Sequence, residues 1–154
     1  MYPDVQLYID GIWTAAAAGR ELVVLNPATG EPAGEVAHAE RADLDRALEA
    51  AEKGFHIWRK VSAYDRAKLV RKAADPLRAR ADTIAPYMSP EQGKPLPEAK
   101  GEVMAGADVI DWFAEEDRSA CGRVIPARAA GIYQLVVKEP VGRSSIRSLV
   151  MRKR

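Results

Sequence analysis

The residues of this sequence whose types could do chemistry are few and scattered. His38 and His56 are the two histidines, 18 positions apart with no cysteine between them, which is not the close-paired spacing of a zinc site. Cys121 is the single cysteine and is followed by Gly122. A thiol becomes a nucleophile only when a base or cation lowers its pKa; no histidine stands near it in sequence, so an unreactive thiol is expected. Glu115, Glu116 and Asp117 form a run of carboxylates. Successive helical positions point about 100° apart, so the three cannot converge on one substrate, and a solvated helix face is expected. Gly93-Lys94 is followed by Pro95 without the glycine spacing of a phosphate loop, and no G-x-G-x-x-G occurs. On these grounds no catalytic, cofactor-binding or metal-ligating residue is assigned.

Charge is unevenly distributed. The chain of 154 residues has a net charge of +1, yet residues 143–154 carry Arg143, Arg147, Arg152, Lys153 and Arg154 without an acid, leaving 18 basic against 22 acidic residues before them. Five cations without interleaved aromatic residues make a poor nucleic-acid footprint, and a disordered terminus is expected instead. Apolar residues make up 47% and charged residues 29%, the balance of a folded soluble chain rather than a disordered one. The longest uncharged apolar-rich stretch, Ile12 to Gly19, is far short of the roughly 20 residues of a membrane helix. The N-terminus lacks the basic and apolar regions of a secretory signal, and one cysteine makes no internal disulfide. A cytoplasmic protein without membrane partners is expected.

The elements that would position any site follow from the hydrophobic pattern. Leu7-Tyr8-Ile9 and Ile12-Trp13 flank Asp10-Gly11, a hairpin signal because glycine, and less readily aspartate, accepts positive φ. The β-branched run Leu22–Leu25 ends at Asn26-Pro27-Ala28-Thr29-Gly30, a turn; a small antiparallel sheet is predicted for the first 40 residues. From about Asp43 the period becomes helical, with Leu44, Leu48, Ala51, Phe55 and Trp58 on one stripe to be buried. Ser62, with Asp65 three residues on, announces a second helix whose apolar positions run through Leu69, Ala73, Leu77, Ala81, Ile84 and Met88. Pro76 should kink or break it, and Pro86 repeats the disturbance. Ser89-Pro90 reads as another start, interrupted at Gly93-Lys94-Pro95. A third long helix is predicted from about Pro97 to Ser119, with Val103, Ala107, Ile110 and Ala114 on one stripe. Arg123-Val124-Ile125 and Tyr133–Lys138 then read as a strand hairpin. The predicted class is α+β: antiparallel strands, three helices, a hairpin and a basic tail.

Four segments, Leu7–Trp13, Asn26–Glu31, Glu91–Leu96 with Glu98-Ala99 and Glu102-Val103, and Lys138-Glu139-Pro140-Val141-Gly142, occur in an order that resembles the aldehyde dehydrogenase superfamily, with the bacterial NAD(P)-dependent succinate-semialdehyde dehydrogenases most alike. The resemblance implies residues 1–122 as strands and helices of the cofactor-binding domain, residues 123–142 as the start of an oligomerisation arm, and residues 143–154 as an unrelated basic tail. It further implies oxidation of an aldehyde through a cysteine thiolate, with NAD or NADP taking the hydride, a glutamate activating water and an asparagine helping to hold the oxyanion. In the family those three residues follow the segment that ends here at Gly142, so none is carried onto this sequence, Cys121 included. The dinucleotide-binding sheet and the catalytic domain are missing likewise, and no cofactor is expected for this chain. Homo- or hetero-oligomers with full-length subunits are the partners implied.

The likeness stops within one residue of Gly142, where the composition turns basic and serine-bearing. A truncated copy of such an enzyme is expected, its tail produced by a shifted reading frame. Sequencing a further kilobase of the locus should reveal another frame encoding an aliphatic strand, a Pro-Trp-Asn-Phe-Pro-like segment and the nucleophilic cysteine; no such continuation in any frame would refute the frame shift.

Overall fold

The computed structural model describes residues 5–142; residues 1–4 and 143–154, and with them the basic tail, lie outside the described residues. Strands β1 (Leu7–Ile9) and β2 (Ile12–Thr14) pair antiparallel with Leu7 opposite Thr14. Asp10 at φ 52 and Gly11 at φ 80 form the predicted tight turn, and the Tyr8 and Trp13 rings meet across the ribbon with centroids 4.9 Å apart. Strands β3 (Glu21–Leu25) and β4 (Pro32–Ala37) form a second antiparallel ribbon with an irregularity at Val24/Leu25. Its turn is closed by the Gly30 N–H on the Asn26 carbonyl at 2.7 Å and by the Ala28 N–H on the Asn26 side chain at 2.9 Å, the local bonding that makes asparagine a turn former. The single small sheet predicted for this region is thus two ribbons, tied by a parallel bridge of Val5 to Val36.

Four helices follow, where three long ones were predicted. Helix α1 (Arg41–Trp58) begins at Glu40, whose backbone N–H donates to the Asp43 carboxylate at 3.1 Å. Asp43 is the one buried charged residue among those described, 1% exposed. It accepts the Ala17 N–H at 3.1 and 3.2 Å and the Arg46 guanidinium at 2.6 Å, fastening the segment after β2 to the start of α1. Helix α2 (Ala63–Ala79) is capped as predicted: the Asp65 N–H donates to Ser62 Oγ at 3.2 Å, and the Ser62 hydroxyl returns a bond to the Asp65 carboxylate. That hydroxyl, with Lys68, holds the Asp65 carboxyl below its ordinary pKa.

The prolines do not break the chain where the sequence suggests. Pro76 sits inside α2, which continues to Ala79, and the division falls at Arg80, with φ −99 and ψ 7. Helix α3 (Ala81–Gln92) then contains both Pro86 and Pro90. Ser89 is therefore no helix start: its backbone carbonyl accepts the Lys94 N–H at 3.2 Å and its hydroxyl donates to the Lys94 carbonyl at 2.6 Å, clipping the end of α3. Helix α4 (Leu96–Ser119) has proline in its first turn, where the missing donor costs nothing. The packing explains the tolerance. Ala67 and Ala74 of α2, Ala81 and Ala85 of α3, and Ala99, Val103, Ala107 and Ala114 of α4 are the buried positions of these helices. Both α2 and α3 pack along α4, and such tertiary contact overrides local propensity.

Salt bridges run along the seam. Arg66 grips Asp117 with two bonds at 2.9 and 3.0 Å, Arg71 reaches Asp111 and Glu115, and Arg78 reaches Asp108 at 2.7 Å and Asp111 at 2.6 Å. The apolar stripe of α1 behaves otherwise: Leu44, Leu48 and Trp58 are exposed, and α1 touches the body mainly through β1. The sequence sets that stripe aside for burial, but of its members only Phe55 is half-buried, and Leu44, Leu48, Ala51 and Trp58 stay exposed. Last come β5 (Arg123–Pro126) and β6 (Tyr133–Val136), antiparallel with Val124 opposite Leu135, all eight residues exposed.

Two measurements test this account. Pro76 is exposed within a continuous helix, so Pro76→Leu should restore a bond to the Lys72 carbonyl and stabilise the chain by about 1–3 kcal/mol, seen as deeper helical circular dichroism and a higher urea midpoint; an unchanged midpoint would contradict it. Asp43 has its carboxyl held below the ordinary value, first by the Glu40 N–H and then by Arg46. Its stabilising effect is therefore complete above the unfolded pKa of about 3.9 and lost as pH falls through the lower folded value. Asp43→Asn should lower Tm at pH 7 and flatten the fall in Tm below pH 4; a variant with the parent pH profile would show that Asp43 does not govern it.

Candidate functional site

Among the described residues the sequence elements singled out for chemistry do not converge. His38 follows β4, its backbone N–H on the Arg20 carbonyl at 2.8 Å. His56 lies on α1, its Nε2 2.8 Å from Glu52 one turn away and its ring against Phe55 at 5.9 Å. No group of three or more His, Cys, Asp or Glu side chains is placed to hold a metal among the described residues. Cys121 is exposed, and its thiol donates to the Ser119 carbonyl with sulfur and oxygen 3.1 Å apart.

The acidic run divides by direction. Glu115 pairs with Arg71 at 3.1 Å and Arg118 at 3.2 Å, Asp117 pairs with Arg66, and Glu116 is exposed. Two of the three carboxylates thus join the seam with α2 rather than a purely solvated face. The signal was present in sequence as Arg66, Arg71 and Arg78, spaced five and seven apart, but only the approach of the two helices shows which acids they meet.

Two of the segments compared above are brought together. Gly93 ends α3 at φ +67, and a Cβ there would lie 2.8 Å from Pro27 Cγ and 3.2 Å from the Ala28 nitrogen. Glycine is required both for the left-handed backbone and for that approach. Lys94 next to it pairs with Glu102 of α4. The β3–β4 turn is thereby seated on the end of α3, and a cleft of about 310 Å³ opens beside it, lined by Asn26, Thr29, Glu31, Pro86, Tyr87 and Pro90 among others.

This cleft offers no histidine, thiol or cation. Anionic phosphates need N–H donors or cationic side chains, and the cleft's charged residue is Glu31. The described strands pair only as antiparallel ribbons, without the parallel strand, glycine-rich turn and helix that cradle a dinucleotide. The residues that line this cleft do not fit a nicotinamide dinucleotide.

The comparisons with known proteins supply the context. The model of the aldehyde dehydrogenase family matches residues 13–146. Glutarate-semialdehyde dehydrogenase of Pseudomonas aeruginosa is 41% identical over 137 residues, covering 89% of this chain and 28% of that protein. The NADP-dependent succinate-semialdehyde dehydrogenase of Escherichia coli is 37% identical over 137 residues, again 89% of this chain and 28% of its own. The crystal structure of succinate-semialdehyde dehydrogenase from Burkholderia pseudomallei superposes with a TM-score of 0.84 at 42% identity, covering 90% of this chain and 29% of that one. The chain spans somewhat more than a quarter of the length of these relatives. With the four motifs in order, the fold matched and the family model covering most of the sequence, this chain belongs to the aldehyde dehydrogenase family.

Proposed function

We propose that this chain supplies the first part of an aldehyde dehydrogenase subunit and that the 154 residues by themselves turn over no aldehyde. In this reading residues 1–122 are strands and helices of the cofactor-binding domain, residues 123–142 begin the oligomerisation arm, and residues 143–154 are a basic tail, into which the family match extends only as far as residue 146. The family reaction is NAD(P)-dependent oxidation of an aldehyde to an acid, and the substrate class is a semialdehyde such as succinate semialdehyde. The names of the relatives in Pseudomonas and Escherichia support that class. The reaction belongs to the cytoplasm, which agrees with a lone cysteine and with the absence, among the described residues, of a helix long and apolar enough to cross a membrane.

The observation that carries the reading is Cys121. It is the chain's one thiol, exposed and donating a hydrogen bond to the Ser119 carbonyl. A dehydrogenase that forms a hemithioacetal needs a sulfur that is held by donors beside a nicotinamide, whereas this sulfur is itself the donor in its hydrogen bond. Of the acidic run, Glu115 and Asp117 are engaged by arginines, and Glu116 is exposed to solvent on α4 rather than placed beside Cys121 at a shared site.

A second reading rests on the β5–β6 ribbon. Its residues are all exposed, an isolated two-stranded ribbon is marginal in water, and its edges are open to pairing. In that reading the chain is a non-catalytic interaction protein that joins full-length homologous subunits.

The test is direct. Purified chain incubated with succinate semialdehyde and either NAD or NADP should produce no reduced nicotinamide absorbance above the no-enzyme rate, and Cys121→Ser should change nothing. Saturable turnover that is lost in Cys121→Ser would overturn the first reading.

A further inference from the structure

The first ribbon carries a chemistry that none of the clusters above offers. Asp10-Gly11 is the only place in the chain where an aspartate or asparagine precedes glycine, and it forms the exposed turn between β1 and β2. An aspartyl carboxyl group closes a five-membered ring when the next backbone nitrogen attacks it. That attack needs a following residue without a side chain, a backbone N–H that is not hydrogen-bonded, and a backbone able to move.

Asp10 meets all three conditions. The space around Gly11 is open, since a Cβ built there would meet Tyr8 Oη alone, at 3.9 Å. In a two-residue turn the closing hydrogen bond is donated by the residue after the glycine, which leaves the Gly11 N–H to solvent. The Asp10 carboxylate is 64% exposed, and Lys53 stands 3.9 Å from it, a long pair between exposed groups that restrains it little. The ribbon is fastened at its base, through Val5 to Val36 and Ala17 to Asp43, with the turn at the far end. Its strands have three residues each and pair only with one another. A ribbon of that size is marginal in water, and its local opening costs far less than unfolding of the helices. Asp10 is also the one non-glycine residue at positive φ among those described, a conformation that opening relieves. The other described aspartates lie within α1–α4. There the helix uses the N–H that follows, or, after Asp75, proline supplies none.

We propose that Asp10 is a site of spontaneous backbone isomerisation in the folded chain. The Gly11 nitrogen bonds to Cγ of the neutral Asp10 carboxyl group; the N–H proton and the carboxyl hydroxyl leave as one water, and a succinimide ring closes. Water then adds to one of the two ring carbonyls. Opening at Cγ restores aspartate. Opening at the Asp10 main-chain carbonyl gives isoaspartate, in which the backbone runs through Cβ and Cγ and the former main-chain carbonyl becomes a free carboxylate. One water is lost and one regained, so the composition is unchanged. The product lengthens the turn by one methylene, which a two-residue turn cannot absorb while Leu7 stays opposite Thr14 and Ile9 opposite Ile12. The Tyr8–Trp13 ring contact is lost with that register. None of this depends on aldehyde turnover.

The test stores the whole 154-residue chain in mildly acidic buffer beside a synthetic Val5–Ala16 peptide and maps both by proteolysis and mass spectrometry. Isoaspartate at residue 10 gives a fragment of unchanged mass and altered elution that an aspartate-specific protease no longer cleaves before residue 10. The folded chain should form it at one-tenth of the peptide's rate or faster, with a parallel change in near-ultraviolet circular dichroism and a constant helical signal. Asp10→Glu, which would need a six-membered ring, should lower the rate at least tenfold. Asp10→Asn, which loses ammonia in place of water, should raise it at least tenfold. A folded chain slower than one-tenth of the peptide would overturn the proposal, because the turn would then be protected by the fold. So would isomerisation at another residue in preference to Asp10, an unchanged rate in either variant, or loss of the helical signal before isoaspartate forms.

Discussion

The close approach of α2 and α3 to α4 is the constraint on which the rest of the structure depends. Two helices can share a seam this tight only where both present small side chains, and the buried set of Ala67, Ala74, Ala81, Ala85, Ala99, Val103, Ala107 and Ala114 meets that condition. The gain per residue is modest, since each buried CH₂ contributes about 0.8 kcal/mol and alanine has little to bury. Dispersion across a close contact and the flanking ion pairs of Arg66, Arg71 and Arg78 add to it. Burial of alanine alone does not set the register of two helices, because alanines are interchangeable. The arginine–carboxylate ladder does, since only one alignment places Arg66 against Asp117 and Arg78 between Asp108 and Asp111.

That seam also explains why three prolines survive in α2 and α3. Each removes a backbone donor, yet Ala74, Ala81 and Ala85 are held against α4 on the other face, and the helical path is fixed from outside. The chain relaxes at Arg80, where α2 passes to α3, instead of at Pro76. The same logic seats the β3–β4 ribbon: Gly93 permits Pro27 and Ala28 to lie against the end of α3, and Asp43 ties the segment after β2 to α1. The strands are thus attached at single points rather than spread over a sheet face.

Among the described residues alanines fill most of the buried positions, and many of the large apolar side chains stand outside. Leu44, Trp58, Val109, Trp112 and Phe113 carry more transferable apolar area than the whole alanine seam, and they are exposed. A chain arranged this way leaves a large apolar surface uncovered by its own described residues. Its family membership and its match to little more than a quarter of its relatives describe the same situation from the side of sequence. Among the described residues the side-chain types that chemistry could use, those of Cys121, His38, His56 and the acids of α4, lie on separate elements.

What the sequence determined by itself was local or cumulative. Asp10-Gly11, Ser62 with Asp65, and Gly93 act through their own backbone and next neighbours, so the first hairpin, the start of α2 and the end of α3 were legible, as were α4 and the β5–β6 ribbon from their periods. The family was legible because four short motifs in order are jointly specific although each is weak. Only the tertiary structure decided which apolar face is buried. Periodicity marks the Leu44–Trp58 stripe and the Val103–Ala114 stripe alike, and burial depends on whether another element lies opposite. It also decided that Ser89 closes a helix instead of opening one, that the break falls at Arg80, and that Glu115 and Asp117 turn toward α2. In each case a residue's role is set by a partner more than a helical turn away, and spacing along one segment carries no information about that partner.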